Sequence, residues 1–249
     1  MTTNAVPVEL APWPEVNFAE FGEVESVPVS RIQSLTAAWL TRNSVLIPHV
    51  THHEDVDITE IEAFRKTQAT PGGGKLTLLP FIVKAMAGLM GKFPKFNASL
   101  EAEEQRLVLK KYVHVGVAID TPAGLLVGVV RDCDRKGVAE LAEEIADLSR
   151  RAREKGLPMK DMIGGGMSVS SLGHIGGTAF TPIINAPEVA ILGLTRARWV
   201  AQRAPGDATA WRLMLPVSLS YDHRVINGAD AARFTAALGP ALDALAVRA

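Results

Sequence analysis

A single cysteine, Cys133, in 249 residues excludes an intramolecular disulfide framework and fits a reducing compartment. Its Asp-Cys-Asp setting raises a thiol pKa rather than lowering it, so Cys133 is not expected to be a nucleophile. Neither sign of charge dominates: the net charge is −1 and no long basic run exists, which removes nucleic acid and anionic membranes as expected partners. No apolar run is long enough to cross a membrane. The most apolar one, Leu76 to Met90, contains Pro80 and Lys84, falls short of the ~20 residues a span needs, and reads as a buried helix. The first thirty residues hold no arginine but carry Glu9, Glu15, Glu20, Glu23 and Glu25, the wrong composition for an organelle transit peptide. They also lack the apolar core of a secretory signal, and a cytoplasmic location is expected. There is no internal repeat. His49, His52 and His53 lie close together, but without the carboxylate–histidine spacing of zinc hydrolases and with strand neighbours facing opposite ways, so no metal is expected.

What is present is ordinary for a globular chain, with 47% apolar and 21% charged residues and ample material for a core. Residues 1–26 have neither helical nor strand period and read as a linker-like arm, or one that packs on a neighbour; residues 27–249 form one domain. Ser30 is placed to cap a helix carrying Ile32, Leu35 and Trp39, and the β-branched run from Val45 to Val56 around Pro48 suggests an irregular or edge strand. Thr59 with Glu62 predicts a capping box. Gly72 to Gly74, followed by Lys75, lack nucleotide-loop spacing and read as a flexible turn. Strands around a turn at Pro122 to Gly124 precede a helix over 137–155, with Val138, Leu141, Ile145, Leu148 and Ala152 three and four apart. Further strands are expected at Met167 to Ser170, Val189 to Leu194 and Trp211 to Ser220. A last helix carries Phe234, Leu238, Leu242 and Leu245. Long helices with an irregular strand order predict an α+β layered domain rather than repeated parallel crossovers.

The segment Tyr221-Asp222-His223-Arg224-Val225-Ile226-Asn227-Gly228 joins the last strand to the last helix. A histidine held there stays open to a substrate, and its pKa of ~6.5 suits a general base at working pH. The turn alone leaves a packing role equally open. Asp222-His223-Arg224-x-x-Asn227-Gly228 resembles the histidine motif near the C-terminus of the dihydrolipoyl acyltransferases, the core components of 2-oxo-acid dehydrogenase complexes. Ser168-Val169-Ser170-Ser171-Leu172-Gly173, with Phe180 to Glu188 after it, is similar to a second signature of that family. Lys111 to Ala118 with Asp120 to Leu125 is similar to a third. The likeness runs from about Val27 to near the end and leans towards bacterial acetyltransferases of the pyruvate type.

The resemblance implies a chloramphenicol-acetyltransferase-like fold, a two-layer mixed sheet with helices, assembled as a homotrimer whose active sites lie between subunits. It implies coenzyme A and a lipoyl group, carried on a separate domain or protein, as substrates entering from opposite ends of a channel. Partners would be a lipoyl domain and the other components of a 2-oxo-acid dehydrogenase complex. His223 is then the base and Ser170 the hydroxyl that stabilises the oxyanion, although Ser168 and Ser171 carry the same chemistry. Asn227 stands where a charged Asp is the family's alternative, so it can orient the imidazole but not balance its charge. Arg42 is expected either to support Asn227 or to serve as a solvated or structural arginine, and Asp222 and Arg224 to fix the turn. Two other functions compete: an acetyl-coenzyme A-dependent acetyltransferase acting on a small hydroxyl, and a non-catalytic scaffold core. The Ser-Ser-Leu-Gly and Asn-Ala-Pro-Glu blocks argue against the first, and the complete His223, Ser170 and Asn227 set against the second. With too few residues upstream for lipoyl or subunit-binding domains, the chain is expected to be a catalytic core alone. Its Leu245-Ala246-Val247-Arg248-Ala249 end makes a poor apolar anchor between trimers, so assembly is expected to stop at the trimer.

Overall fold

Ser30 starts the first helix, α1 (Arg31–Leu46), in the computed structural model, which describes residues 12–69, 76–101, 103 and 105–247. The Ser30 hydroxyl accepts from Gln33 N and the Gln33 side chain accepts from Ser30 N, a complete capping box. The helix carries Ile32, Leu35 and Trp39 as expected, all three are exposed, and nothing among the described residues covers them. Strand β1 (His49–Asp57) begins after Pro48 and lies at the edge of the sheet, while residues 45 and 46 belong to α1. Helix α2 (Thr59–Thr67) starts without the expected capping box. Asp57 Oδ1 accepts from both Thr59 N and the Thr59 hydroxyl, the same hydroxyl accepts from Leu213 N, and Glu62 is engaged by Arg65. Asp57 and Leu213 take up Thr59 and Arg65 takes up Glu62, so the expected cap does not form. The turn expected at 72–74 lies outside the described residues.

Helix α3 (Leu79–Lys92) is the buried helix the apolar run predicts, with Pro80 tolerated in its first turn because no N–H is needed there. Strands β2 (Ala98–Glu101) and β3 (Arg106–Leu109) form a separate hairpin, and β4 (Val115–Thr121) and β5 (Gly124–Val130) form another around the expected turn. Helix α4 (Val138–Lys155) buries Leu141, Ile145, Leu148 and Ala152. Then come β6 (Met167–Ser171), β7 (Ala190–Leu194), β8 (Arg198–Arg203) and β9 (Thr209–Asp222). The single last helix predicted is two, α5 (Gly228–Ala236) and α6 (Leu238–Val247). Pro240 has no N–H to give to the carbonyl four residues back, so the helix restarts with proline in its new first turn.

The main sheet has seven strands in the order β1-β9-β7-β6-β4-β5, with β8 paired to the first half of β9. Pairs β4–β6 and β6–β7 are parallel and the others antiparallel, which makes it the mixed sheet of an α+β domain. Helices α3, α4 and α6 pack together, and one apolar core runs from Phe81, Met86 and Met90 through Val115, Val169 and Leu192 to Phe234 and Leu242. No helix among the described residues is long and apolar enough to cross a membrane.

Candidate active site

Strand β9 delivers its last residue, Asp222, into the protein, where its amide donates to Val189 O at 2.8 Å. The buried carboxylate takes Arg224 in a two-pronged grip, Nε to Oδ1 at 2.9 Å and Nη2 to Oδ2 at 2.6 Å. That carboxylate holds the Arg224 guanidinium above its usual pKa. The Asp222 carbonyl accepts from Val225 N at 2.9 Å and Ile226 N at 3.0 Å, which closes the turn. Asn227 then caps α5, its Oδ1 accepting from Asp230 N at 2.8 Å. Between these anchors His223 has its amide on Pro48 O at 3.1 Å and its exposed ring 5.8 Å from that of Tyr221. No hydrogen-bond partner for the imidazole lies among the described residues, so the backbone holds it and the ring faces outward.

Ser170 stands near the end of β6, half-buried, opposite Gly193 of β7. With Ser171, Leu172 and His174 it lines a cleft of about 840 Å³, closed on the helical side by Glu143 and Arg153 of α4. Gly193 is in turn opposite Ser218 of β9, and His223 is five residues further along that strand. At ~3.3 Å per residue the two are separated by about 16 Å along the sheet, with a strand between them. One chain therefore keeps His223 and Ser170 well apart on the sheet. A site that uses both must draw them from two copies.

Arg42 does not reach Asn227 within the chain. Its Nε and Nη2 lie 3.2 and 2.9 Å from Asn43 Oδ1, and the buried Asn43 passes Nδ2 to Ile184 O at 3.0 Å. His114 is buried, takes Asp132 N on Nδ1 at 3.0 Å and leans on the Tyr112 ring, which gives it a packing role. His53 faces the Ser218 hydroxyl and His52 faces Glu54, and no three possible metal ligands converge among the described residues. Burial pushes the Cys133 thiol up to about 11. The direction is the one expected, but burial outweighs the neighbouring aspartates as its cause.

Sequence reasoning missed a buried polar cluster behind Ser170. Glu188 is buried and accepts from the Ser168 hydroxyl at 2.9 Å; burial pushes its carboxyl up to about 7. Burial lowers the Lys110 pKa, against the pull of Glu188, and Lys110 Nζ donates to Gly165 O at 2.9 Å. Among the described residues, neither Glu188 Oε2 nor Asn97 Oδ1 has a partner within hydrogen-bond geometry. A side chain at Gly165 or Gly166 would collide with these groups, its Cβ falling 2.5 Å from Glu188 Oε1 or 2.0 Å from Asn97 Oδ1. The available signal was a charged residue heading the apolar run that becomes β7.

A sequence model of the 2-oxoacid dehydrogenase acyltransferase catalytic domain matches residues 21–247. The dihydrolipoyllysine-residue acetyltransferase component of the pyruvate dehydrogenase complex of Pseudomonas aeruginosa is 54% identical over 236 residues, 94% of this chain and 43% of that protein. The chain thus spans 43% of that protein's length and between 36% and 57% of the length of the curated relatives it matches. The solved dihydrolipoamide acetyltransferase of Azotobacter vinelandii superposes with a TM-score of 0.90 at 53% identity, covering 94% of this chain and 97% of that one. The cubic core of a pyruvate dehydrogenase multienzyme complex matches to the same degree, with a TM-score of 0.90, 53% identity and coverage of 94% and 97%. A chloramphenicol acetyltransferase at 14% identity, with a TM-score of 0.57 over 82% of this chain and 94% of that one, shares the fold alone. With its histidine turn, its serine strand and these likenesses in place, the chain belongs to the 2-oxoacid dehydrogenase acyltransferases, matching their catalytic domain.

Proposed function

We propose that this domain transfers an acetyl group between dihydrolipoamide, carried on a separate domain or protein, and coenzyme A. The observation that carries the reading is the turn at His223: a backbone fixed on Pro48 O, Val189 O and the α5 cap presents an imidazole with no competing partner. An alkyl thiol near pKa ~8.5 is little ionised at neutral pH, so a base beside the sulfur is what the reaction needs. His223 takes the proton of the coenzyme A thiol, and the sulfur attacks the thioester carbon of S-acetyl-dihydrolipoamide. The carbonyl π electrons move onto oxygen, where the Ser170 hydroxyl of a neighbouring subunit donates to the oxyanion. Collapse breaks the bond to the lipoyl sulfur, and that thiolate recovers the proton from the imidazolium.

Support for these roles comes from the solved Azotobacter vinelandii enzyme, for which one serine, one histidine and one asparagine were investigated in the catalytic mechanism. Its histidine and asparagine stand four residues apart, as His223 and Asn227 do. The domain proper is residues 27–249, residues 1–26 serve as an arm, the assembly is a homotrimer within a 2-oxo-acid dehydrogenase complex, and the setting is cytoplasmic. Coenzyme A acetylation from acetyl-dihydrolipoamide is the assay that tests this. His223→Ala is expected to keep the fold and lower turnover by roughly 10²–10⁴, the range for a lost general base. Unchanged turnover removes His223 from the mechanism.

A further inference from the structure

The His223 amide donates to Pro48 O, so whatever holds Pro48 also holds the base. Pro48 sits in a corner between Ile47, just past α1, and His49, the first residue of β1. His49 closes that corner. Its Nδ1 lies 2.8 Å from Ile47 O and its Nε2 lies 3.0 Å from Ile184 N. A carbonyl can only accept and an amide N–H can only donate. These partners therefore leave one arrangement, a neutral ring with its proton on Nδ1 and its lone pair on Nε2.

The far end of this strut is itself held. Asn43 donates to Ile184 O, so both backbone groups of Ile184 are satisfied by side chains of the α1–β1 corner rather than by a strand. Ile184 packs with Ile47 and Ile191 in a small apolar cluster apart from the main core. On β9, His49 is paired with Asp222, whose carboxylate is occupied by Arg224. The corner, the segment leading to Glu188 and the histidine turn thus meet at one imidazole.

We propose that His49 is a positioning residue for His223: protonated on Nδ1, it braces the Ile47–Pro48 corner against Ile184 and so aims Pro48 O at the His223 amide. The proposal rests on the reading of His223 as the base. No other side chain presents a donor and an acceptor across a rigid ring in this way. Gln keeps an acceptor for Ile184 N–H, and Asn keeps a donor for Ile47 O; neither keeps both.

The test measures coenzyme A acetylation together with amide hydrogen exchange of the 182–188 segment, using the full chain and His49→Ala, His49→Gln and His49→Asn. His49→Ala is expected to lower kcat at least tenfold, leave the KM for coenzyme A within twofold, and speed exchange at Ile184. Gln should restore protection at Ile184, and Gln and Asn should each recover part of kcat. A folded His49→Ala protein with kcat within twofold of the unaltered chain overturns the proposal. So does a fall confined to KM. If His49→Ala does not fold, the other two variants decide: full kcat in both overturns the proposal, and a loss in both at unchanged KM supports it. An unaltered chain that fails to acetylate coenzyme A removes the functional reading instead, while exchange at Ile184 still reports on the brace.

Discussion

Glu188 and the serines of β6 carry the sharpest expectations at the scale of single residues. Glu188 titrates near 7 in the folded protein against an ordinary 4.5, because burial disfavours its charged form. The folded state therefore holds this proton more tightly than the unfolded one. Its stabilising contribution is complete below about pH 4.5 and is lost as the pH rises towards 7, by an amount on the order of a few kcal/mol. Glu188→Gln keeps an acceptor for the Ser168 hydroxyl but has nothing to ionise. Thermal melts at pH 5 and 7.5 should show the unaltered protein losing more stability over that interval than the variant; parallel melts would show that Glu188 does not titrate there. The second expectation separates neighbouring hydroxyls in the cleft. Ser170→Ala should lower kcat by on the order of 10²–10³ at nearly constant KM, as loss of a group acting in the transition state does. Ser171→Ala should be milder, and the reverse ranking would transfer the oxyanion role to Ser171.

At the scale of elements, α4 shows what can be read from sequence. Its apolar residues recur at threes and fours, and Leu141, Ile145, Leu148 and Ala152 are all buried. The helix sits so close to the sheet that a Cβ on Gly128 of β5 would fall 2.6 Å from Leu148 Cδ2. Gly128→Ala is expected to cost roughly 1–3 kcal/mol as an overpacked core, lowering the melting temperature by several degrees with kcat at 25 °C little changed. An unshifted melt would mean that α4 moves away from the sheet without cost. Strand β8 shows what sequence hides: Arg198-Trp199-Val200-Ala201-Gln202-Arg203 has no apolar alternation, and it is a strand because β9 extends past β7 and offers it an edge. The split between α5 and α6 was signalled by Pro240 but masked by the continuing spacing of Leu238, Leu242 and Leu245. The histidine turn was legible for a different reason. Asp222, His223, Arg224 and Asn227 act within six residues of chain, so their spacing already encodes their contacts. Ser170 is placed by strands far away in sequence, and Arg42 turns to Asn43, whose own partner Ile184 is equally remote; register and distance are not written there.

On the roles proposed for them, the separation of His223 from Ser170 within one chain makes quaternary structure part of the chemistry at the scale of the whole molecule. The chain also exposes apolar surface that a monomer would not keep in water. Trp13 is 91% exposed, Phe18 and Phe21 lie open, and α1, which runs into the Pro48 corner, exposes Ile32, Leu35 and Trp39. Burying that surface against a second chain is the way to bring one chain's His223 to another's Ser170. A homotrimer at micromolar concentration, three times 26.6 kDa by light scattering, is therefore expected. Leu35→Asp with Trp39→Asp should yield a smaller species that keeps its circular dichroism and loses acetylation, since each chain holds only half of the pair. Contact between trimers is a separate question. Among the described residues of α6, Leu245 and Ala246 pack against the core and Val247, 85% exposed, is the apolar side chain offered beyond it; Arg248 lies outside the described residues. One valine buries too little apolar surface to join trimers firmly, at about 25 cal/mol per Å². The scattering mass should therefore stay at the trimer. A monodisperse particle several times heavier would show that another surface joins the trimers. An active monomer would be the more damaging result, because it would place a working oxyanion donor within reach of His223 in one chain.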